Sequence, residues 1–256
     1  MATPSVLEVR PPALTSISEP LPFFDGTTRL YICYLCPFAQ RAWITRNCKV
    51  VFFTMHLLDK CSHLTSVKFE GLQDKIELVP IDLKNRPAWY KEKVYPTNKV
   101  PSLEHNSKVL GESLDLIRYI DANFEGAPLF PTDPAKREFG EQLISHVDTF
   151  TSGIYPTFKG DPIQQTSAAF DYLENALGKF DDGPFFLGQF SLADIAYVSF
   201  LERFQIVFSE IFKHDITAGR PKLATWIQEG NKIDGYKQTK VDREEYLEAF
   251  KKKFLA

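Results

Sequence analysis

The change of pattern at residues 126–134 constrains this chain more than any other feature. Before it, short apolar runs alternate with segments of helical periodicity. Beyond it, almost every segment carries helical stripes. The break itself holds Pro128, Pro131 and Pro134, a composition that marks a linker between domains. At 256 residues the chain has room for two ordinary domains. The pattern predicts a compact α/β unit over residues 27–125, an all-helical domain over 135–256, and a Pro-broken N-terminal arm over 1–26.

Within the first unit, Arg29 to Tyr34 reads as a strand and Pro37 to Asn47 as a helix, with Ala39, Ala42, Trp43 and Arg46 at helical spacing. Lys75 to Leu83 reads as a second strand, whose interior Pro80 suits a strand end or a sheet edge. Trp89 to Lys93 has the length of one helical turn, with Trp89 as a packing residue. Val100 to Glu104 and Lys108 to Gly111 form a hairpin around His105-Asn106-Ser107. Ser113 then opens a helix with Leu114, Ile117, Tyr119 and Ile120 as its apolar positions. In the second domain Phe139, Leu143, Ile144, Val147 and Phe150 make one stripe, and Phe170, Leu173, Leu177 and Phe180 another. Ser191-Leu192-Ala193-Asp194 is a capping box, with Phe190 and Ile195 placed to form a hydrophobic staple. We read Ser191 and Asp194 as a structural cap that locks the core, not as catalysts.

The net charge of −3 gives no global basic field for nucleic acid. No apolar run approaches the roughly 18 residues that span a bilayer. Met1 to Glu19 has Arg10 as its one basic residue, carries Glu8 and Glu19, and lacks an apolar core. It resembles neither a secretory signal nor an Arg-rich transit peptide, so the expectation is a cytoplasmic protein with no membrane and no nucleic-acid partner.

The cysteines are Cys33, Cys36, Cys48 and Cys61, too sparse for a disulfide scaffold in a chain of this length. Cys36 stands just ahead of Pro37, a residue suited to a first helical turn because its missing N–H costs nothing there. The thiol therefore faces the positive field of orphan backbone N–H groups. Such positions lower a thiol pKa to about 3.5–7.5 and make a nucleophile. Cys33 and Cys36 have C-x-x-C spacing, which also admits a zinc site or a structural disulfide as minor alternatives. Zinc needs two further ligands of matching style, and no second C-x-x-C or H-x-x-x-H exists; no metal is expected. A dithiol redox pair usually places its second cysteine inside the helix, where Ala39 stands.

Five segments then fall in a recognisable order: Cys36-Pro37-Phe38-Ala39-Gln40-Arg41, Asp82-Leu83-Lys84-Asn85-Arg86-Pro87-Ala88-Trp89, Lys99-Val100-Pro101-Ser102-Leu103, Glu112-Ser113 and Ser191-Leu192-Ala193-Asp194. With them the chain resembles the cytosolic glutathione transferases. The cysteine-type members are the closer match, among them the plant lambda class, related to omega and dehydroascorbate reductase types. The resemblance implies a thioredoxin-like N-terminal domain followed by an all-α C-terminal domain. It implies Cys36 as the catalytic residue and glutathione as co-substrate, with Phe38, Lys99, Val100 and Pro101 beside the tripeptide. Val100-Pro101 resembles the family's X-cis-Pro step, whose backbone pairs with the peptide like an added strand. Glu112 would pair with the α-ammonium, and Ser113, opening a helix, would bind the α-carboxylate. Lys84 or Arg86 would meet the glycyl carboxylate, with Arg86 favoured.

A cysteine at this position attacks a glutathionyl mixed disulfide and takes the glutathione onto itself; a second glutathione then resolves the adduct. Ala39 implies this monothiol route. The resemblance thus implies a thioltransferase and deglutathionylase with low conjugation activity, acting on small-molecule or protein mixed disulfides as a monomer. Flavonoids are implied as ligands of the domain cleft, and dehydroascorbate as a further substrate. The alternative is a non-catalytic carrier of glutathionylated or flavonoid-like molecules.

Val50 to Glu70 departs from the pattern. Without it, Lys49 would run into Gly71-Leu72-Gln73-Asp74-Lys75, a short glycine-containing loop of ordinary length. The segment has no Gly or Pro but carries Val50, Val51, Phe52, Phe53, Leu57, Leu58 and Leu64, an aggregation liability if exposed. We read it as a translated intron or alternative exon rather than a working element. An added edge strand over Val50 to Met55 and a partner-binding insertion are the other readings.

Overall fold

The computed structural model describes residues 8–49, 51–56 and 65–255, with the backbone course alone over 51–56 and 65–70. Residues 1–7 of the arm and 57–64 of the insertion, Cys61 included, lie outside the described residues.

Strand β1 (Arg29–Ile32) stops two residues short of the predicted Tyr34, because the chain turns at Cys33 to Cys36, where the Cys36 N–H donates to the Cys33 carbonyl at 3.0 Å. Helix α1 (Pro37–Cys48) follows, and β4 (Glu77–Pro80) returns parallel to β1, ending on Pro80 at the sheet edge. A single π-turn (Tyr90–Val94) leads to the hairpin β5 (Ser102–His105) and β6 (Lys108–Leu110). Asn106 and Ser107 both take positive φ at its turn, the twist that two-residue hairpin loops require. Helix α2 (Ser113–Asn123) closes the unit. The sheet order is β4-β1-β5-β6. Side chains alternate across β1: Leu30 and Ile32 join Trp43, Leu78, Leu103 and Leu116 on one face, while Tyr31 joins Val79, Trp89 and Tyr90 on the other. Period-2 alternation on a strand buried on both faces produces two small cores.

The inserted segment forms its own antiparallel pair, β2 (Val51–His56) with β3 (Thr65–Glu70). This corrects the edge-strand reading: among the described residues, the pair stands as a separate two-stranded sheet and does not widen the four-stranded one. The core fold closes beneath it. Leu72 N–H donates to the Arg46 carbonyl at 2.9 Å. Gly71 lies so close to the end of α1 that a Cβ there would sit 2.5 Å from the Asn47 carbonyl oxygen.

The helical domain comprises α3 (Pro134–Ile154), α4 (Pro162–Ala176), α5 (Leu192–Glu210), α6 (Pro221–Gly230), the short α7 (Asp234–Lys237) and α8 (Arg243–Phe254). Its core is one continuous aromatic-rich cluster about α5, including Phe150, Phe158, Phe170, Phe200, Phe204 and Trp226. The capping box opens α5. Asp194 is fully buried and accepts from Ser191 N–H (2.9 Å), Ser191 Oγ–H (2.7 Å), Phe186 N–H (3.2 Å) and Trp226 Nε1–H (2.7 Å), so one carboxylate ties the cap to α6. Among the described residues no helix is long and apolar enough to cross a membrane.

Helix α1 is the keystone of the molecule. It packs on the sheet and α2 on one side and on α5 and α7 on the other, so its polar residues Gln40, Arg41, Thr45, Arg46 and Asn47 are as buried as its apolar ones. A helix covered all round shows no one-sided stripe, which is why four spaced positions did not reveal its surroundings. Residues 8–26 are strapped to the fold. Leu14 forms a parallel bridge with Ile81, Glu8 pairs with Arg46 at 2.6 Å and accepts from Trp43 Nε1–H at 3.1 Å, and Arg10 donates to the Gln238 and Lys240 carbonyls at 2.8 Å.

Candidate active site

Cys36 is the N-cap residue of α1, with Pro37 at the first helical position. Its backbone is extended (φ −84°, ψ 117°), which aims the side chain back over the helix start. The amides of Phe38 and Ala39 point at the sulfur, and the guanidinium groups of Arg203 and Arg41 add positive charge. Burial nevertheless pushes the Cys36 thiol up from its ordinary value, ahead of these four stabilising groups. The expected depression is therefore corrected: helix-terminus physics is present, but desolvation by burial outweighs it. Sγ lies 3.9 Å from the Val100 carbonyl oxygen, and the Val100–Pro101 peptide is cis.

A cleft of about 1020 Å³ opens at this sulfur. Cys33, Cys36 and Phe38 form one wall, Ile81 to Lys84 another, and Tyr155, Arg203 and the inner face of α8 with Tyr246, Phe250 and Phe254 the roof. The lining is mostly apolar and aromatic with a few cations, the character of a small-molecule site. Phe38 is exposed at its rim and meets Phe200 edge-on at 5.1 Å.

The remaining predicted residues divide into two groups. Glu112, which is not among the residues lining the cleft, takes φ +61°, a left-handed conformation uncommon for a residue with a side chain, and is exposed at the start of α2. Ser113 is buried and its Oγ accepts from Arg41 Nη1 at 3.0 Å, so its own hydrogen is free to donate. The second group concerns the loop cations. Lys84 lines the cleft. Arg86 does not: its guanidinium donates to the Leu83 carbonyl at 3.1 Å and to the Asn98 carbonyl, bracing the loop before the exposed Lys99. Arg86 is thus engaged with backbone oxygens, whereas Lys84 stands at the cleft. Ser191 and Asp194 sit at the other end of the helical domain core and do not reach the cleft.

Sequence reasoning missed Arg203. It is fully buried in α5 and donates through Nε and Nη2 to the Leu35 carbonyl (3.3 and 3.1 Å), and through Nη1 to Ser199 O (2.6 Å) and to Gln40 Oε1. Gln40 in turn donates to Glu202 at 2.9 Å and to the Thr239 carbonyl at 3.0 Å. The helical domain thereby holds the backbone next to Cys36. The available signal was a Glu202-Arg203 pair inside an otherwise apolar helix run.

The comparisons with known proteins bear on this geometry. Residues 30–128 match the model of the glutathione S-transferase N-terminal domain, and residues 163–229 that of the C-terminal domain. Glutathione S-transferase L3 of Arabidopsis thaliana is 60% identical over 97% of this chain and 97% of its own length. The chain belongs to the glutathione S-transferase family. Its class is lambda: Arabidopsis glutathione S-transferase L2, chloroplastic, is also 54% identical over 96% of this chain and 77% of its own length. Omega 2C glutathione transferase from Trametes versicolor shares the fold, with a TM-score of 0.66 at 24% identity, covering 90% of this chain and all of that one. The transferase is thus a thioredoxin-like domain joined to a helical domain, with glutathione as co-substrate.

Proposed function

We propose that this glutathione transferase is a thioltransferase and deglutathionylase working through Cys36. The observation that carries the reading is the placement of a cysteine sulfur, not a hydroxyl, at the helix start where the cleft opens. The thiolate attacks the glutathionyl sulfur of a mixed disulfide; the new bond is Cys36–S–S–glutathione, and the partner thiolate leaves. A second glutathione thiolate attacks the glutathione sulfur of the adduct, releasing oxidised glutathione and Cys36 thiolate. For the tripeptide we assign Val100 to main-chain pairing, the Ser113 N–H and hydroxyl to the α-carboxylate, Glu112 to the α-ammonium, and Lys84 to the glycyl carboxylate. Pro101, Phe38 and Lys99 border that path, and Arg86 holds the loop that carries it.

The aromatic roof favours a second reading, a carrier of glutathionylated or flavonoid-like molecules. The mixed disulfide of glutathione with hydroxyethanethiol separates the two. An enzyme turns it over and loses essentially all turnover in Cys36→Ser, by at least about 10³-fold when a nucleophile is removed. A carrier shows no turnover in either form and binds flavonoids equally well in both. We assign the protein to the cytoplasm as a monomer.

A further inference from the structure

The thioltransferase route above uses one cysteine, yet a second lies on the same turn. Cys33 follows the last residue of β1, is half-buried and lines the cleft with Cys36. Both are free thiols. The turn that joins them is closed by the Cys36 N–H to Cys33 carbonyl bond at 3.0 Å. Burial pushes the Cys33 thiol up from its ordinary value, ahead of the smaller opposing effect of the Leu35 and Cys36 amides. A turn of this type brings its first and fourth Cα atoms within about 7 Å, and disulfides need a Cα separation of about 4.4–6.8 Å. The two ranges overlap.

We propose that Cys33 is a resolving thiol for Cys36. The idea rests on the thioltransferase reading, since it needs glutathione on Cys36. The nearness of Cys33 to Cys36 on one closed turn, not an activated thiol, is what makes it the resolving group. It attacks Cys36 Sγ; the Cys33–Cys36 bond forms, the bond from Cys36 to glutathione breaks, and glutathione thiolate leaves and takes a proton. Two glutathione molecules then regenerate the dithiol. The first attacks Cys36 Sγ and releases the Cys33 thiolate. The second attacks the glutathione sulfur of the restored adduct and releases oxidised glutathione. No other oxidant or reductant is required. In dithiol enzymes of the usual order the resolving cysteine sits one turn into the helix; here Ala39 fills that place and the turn supplies the sulfur from the strand side. Between turnovers the internal disulfide shields Cys36 from irreversible oxidation.

The test treats the full-length, reduced protein with one equivalent of the glutathione–hydroxyethanethiol mixed disulfide and follows intact mass and non-reduced tryptic peptides. Residues 30–41 form one tryptic peptide that contains Cys33 and Cys36 but neither Cys48 nor Cys61, so a loss of two hydrogens in it reports this bond alone. Wild type should gain the glutathione adduct and convert it to that lighter peptide. Cys33→Ser and Cys33→Ala should hold the adduct at least about tenfold longer, given the effective concentration of a tethered thiol. An adduct equally persistent in wild type and both variants overturns the resolving role and leaves thiol transfer standing. Failure of the folded wild type to acquire any adduct on Cys36 overturns both.

Discussion

The two ends of α1 are about 18 Å apart, from 12 residues at about 1.5 Å each, and only one of them is closed by a neighbouring loop. At the Cys36 end the decisive groups come from far along the chain: Arg203 on the Leu35 carbonyl, and Glu202 and Thr239 on Gln40. At the Lys49 end remote partners are present too, Asp121 on Lys49 Nζ at 2.8 Å, but the chain also closes on itself there, Leu72 on Arg46, with Gly71 pressed against the Asn47 carbonyl. The first arrangement fixes a sulfur within a cleft shared by both domains. The second seals the unit below whatever leaves it, so a hairpin can depart and return there without disturbing the cleft. The comparison teaches that tolerance to insertion is set by whether a neighbouring loop closes the end from which the inserted chain leaves.

The sharpest test of the remote end is Arg203→Met. It removes the cation near the Cys36 sulfur, leaves Gln40 Oε1 without its donor and takes the neighbouring counter-charge from the buried Glu202 carboxylate. Breaking a buried charged network costs about 3–5 kcal/mol, read as a fall in denaturant midpoint. Cys36 reactivity should change as well. Because burial holds the thiol above its ordinary value, the protonated form dominates at neutral pH, and alkylation of Cys36 should accelerate as pH rises, without a plateau near about pH 7. Removing Arg203 takes away a group that pulls the value down, so the profile should move further to high pH. Arg203→Lys keeps the charge but not the forked geometry, and should restore the pH profile more than the stability. A plateau near neutrality in wild type, or an unmoved profile in Arg203→Met, would sink the electrostatic account.

Much of this architecture was legible beforehand, for definable reasons. The strand-to-helix turn at Cys36-Pro37, the hairpin turn at Asn106-Ser107 and the Ser191-Asp194 cap are local devices, written in adjacent residues. What escaped was long-range. The partners of Gln40 and Arg41 lie more than 70 residues away, and no periodicity reports them. The arm read only as Pro-broken because its prolines are local, whereas its anchors, Arg46, Trp43 and Gln238, are not. The thiol environment was misjudged for the same reason. The helix field is a property of residues 36–39, whereas burial is a property of everything the fold packs around the sulfur.

Between the two ends runs the strap of residues 8–26, and Glu8→Ala tests whether it serves one end or both. Glu8 accepts from Arg46, Trp43 Nε1 and Asn47, and its loss leaves a nearly fully buried guanidinium short of its acidic partner. Unpaired buried donors cost about 1–3 kcal/mol, so thermal stability should fall while turnover at Cys36, at the other end of the helix, holds within about twofold. A matching loss of turnover would mean that α1 transmits displacement along its length and that the two ends are not independent.

The smallest expected effect is the most discriminating, because it has the opposite sign. Deleting Val50 to Glu70 shortens the connection from α1 to β4 about fourfold. Loop closure costs about 0.6 kcal/mol per doubling of length, so the deletion should stabilise the fold by about 1.2 kcal/mol and raise the melting temperature by roughly 2–5 °C. An isolated two-stranded hairpin contributes little stability to set against this. Solubility should improve, since the segment's apolar residues leave with it, and turnover should stay as it was, because Leu72 still closes on Arg46. Equal melting temperature and solubility in the two forms would defeat the reading of the hairpin as a passive insertion and make it part of the folded structure's stability. Lost turnover would instead tie the hairpin to the cleft through α1, and the separation of the two ends would fail on the side where it looks safest.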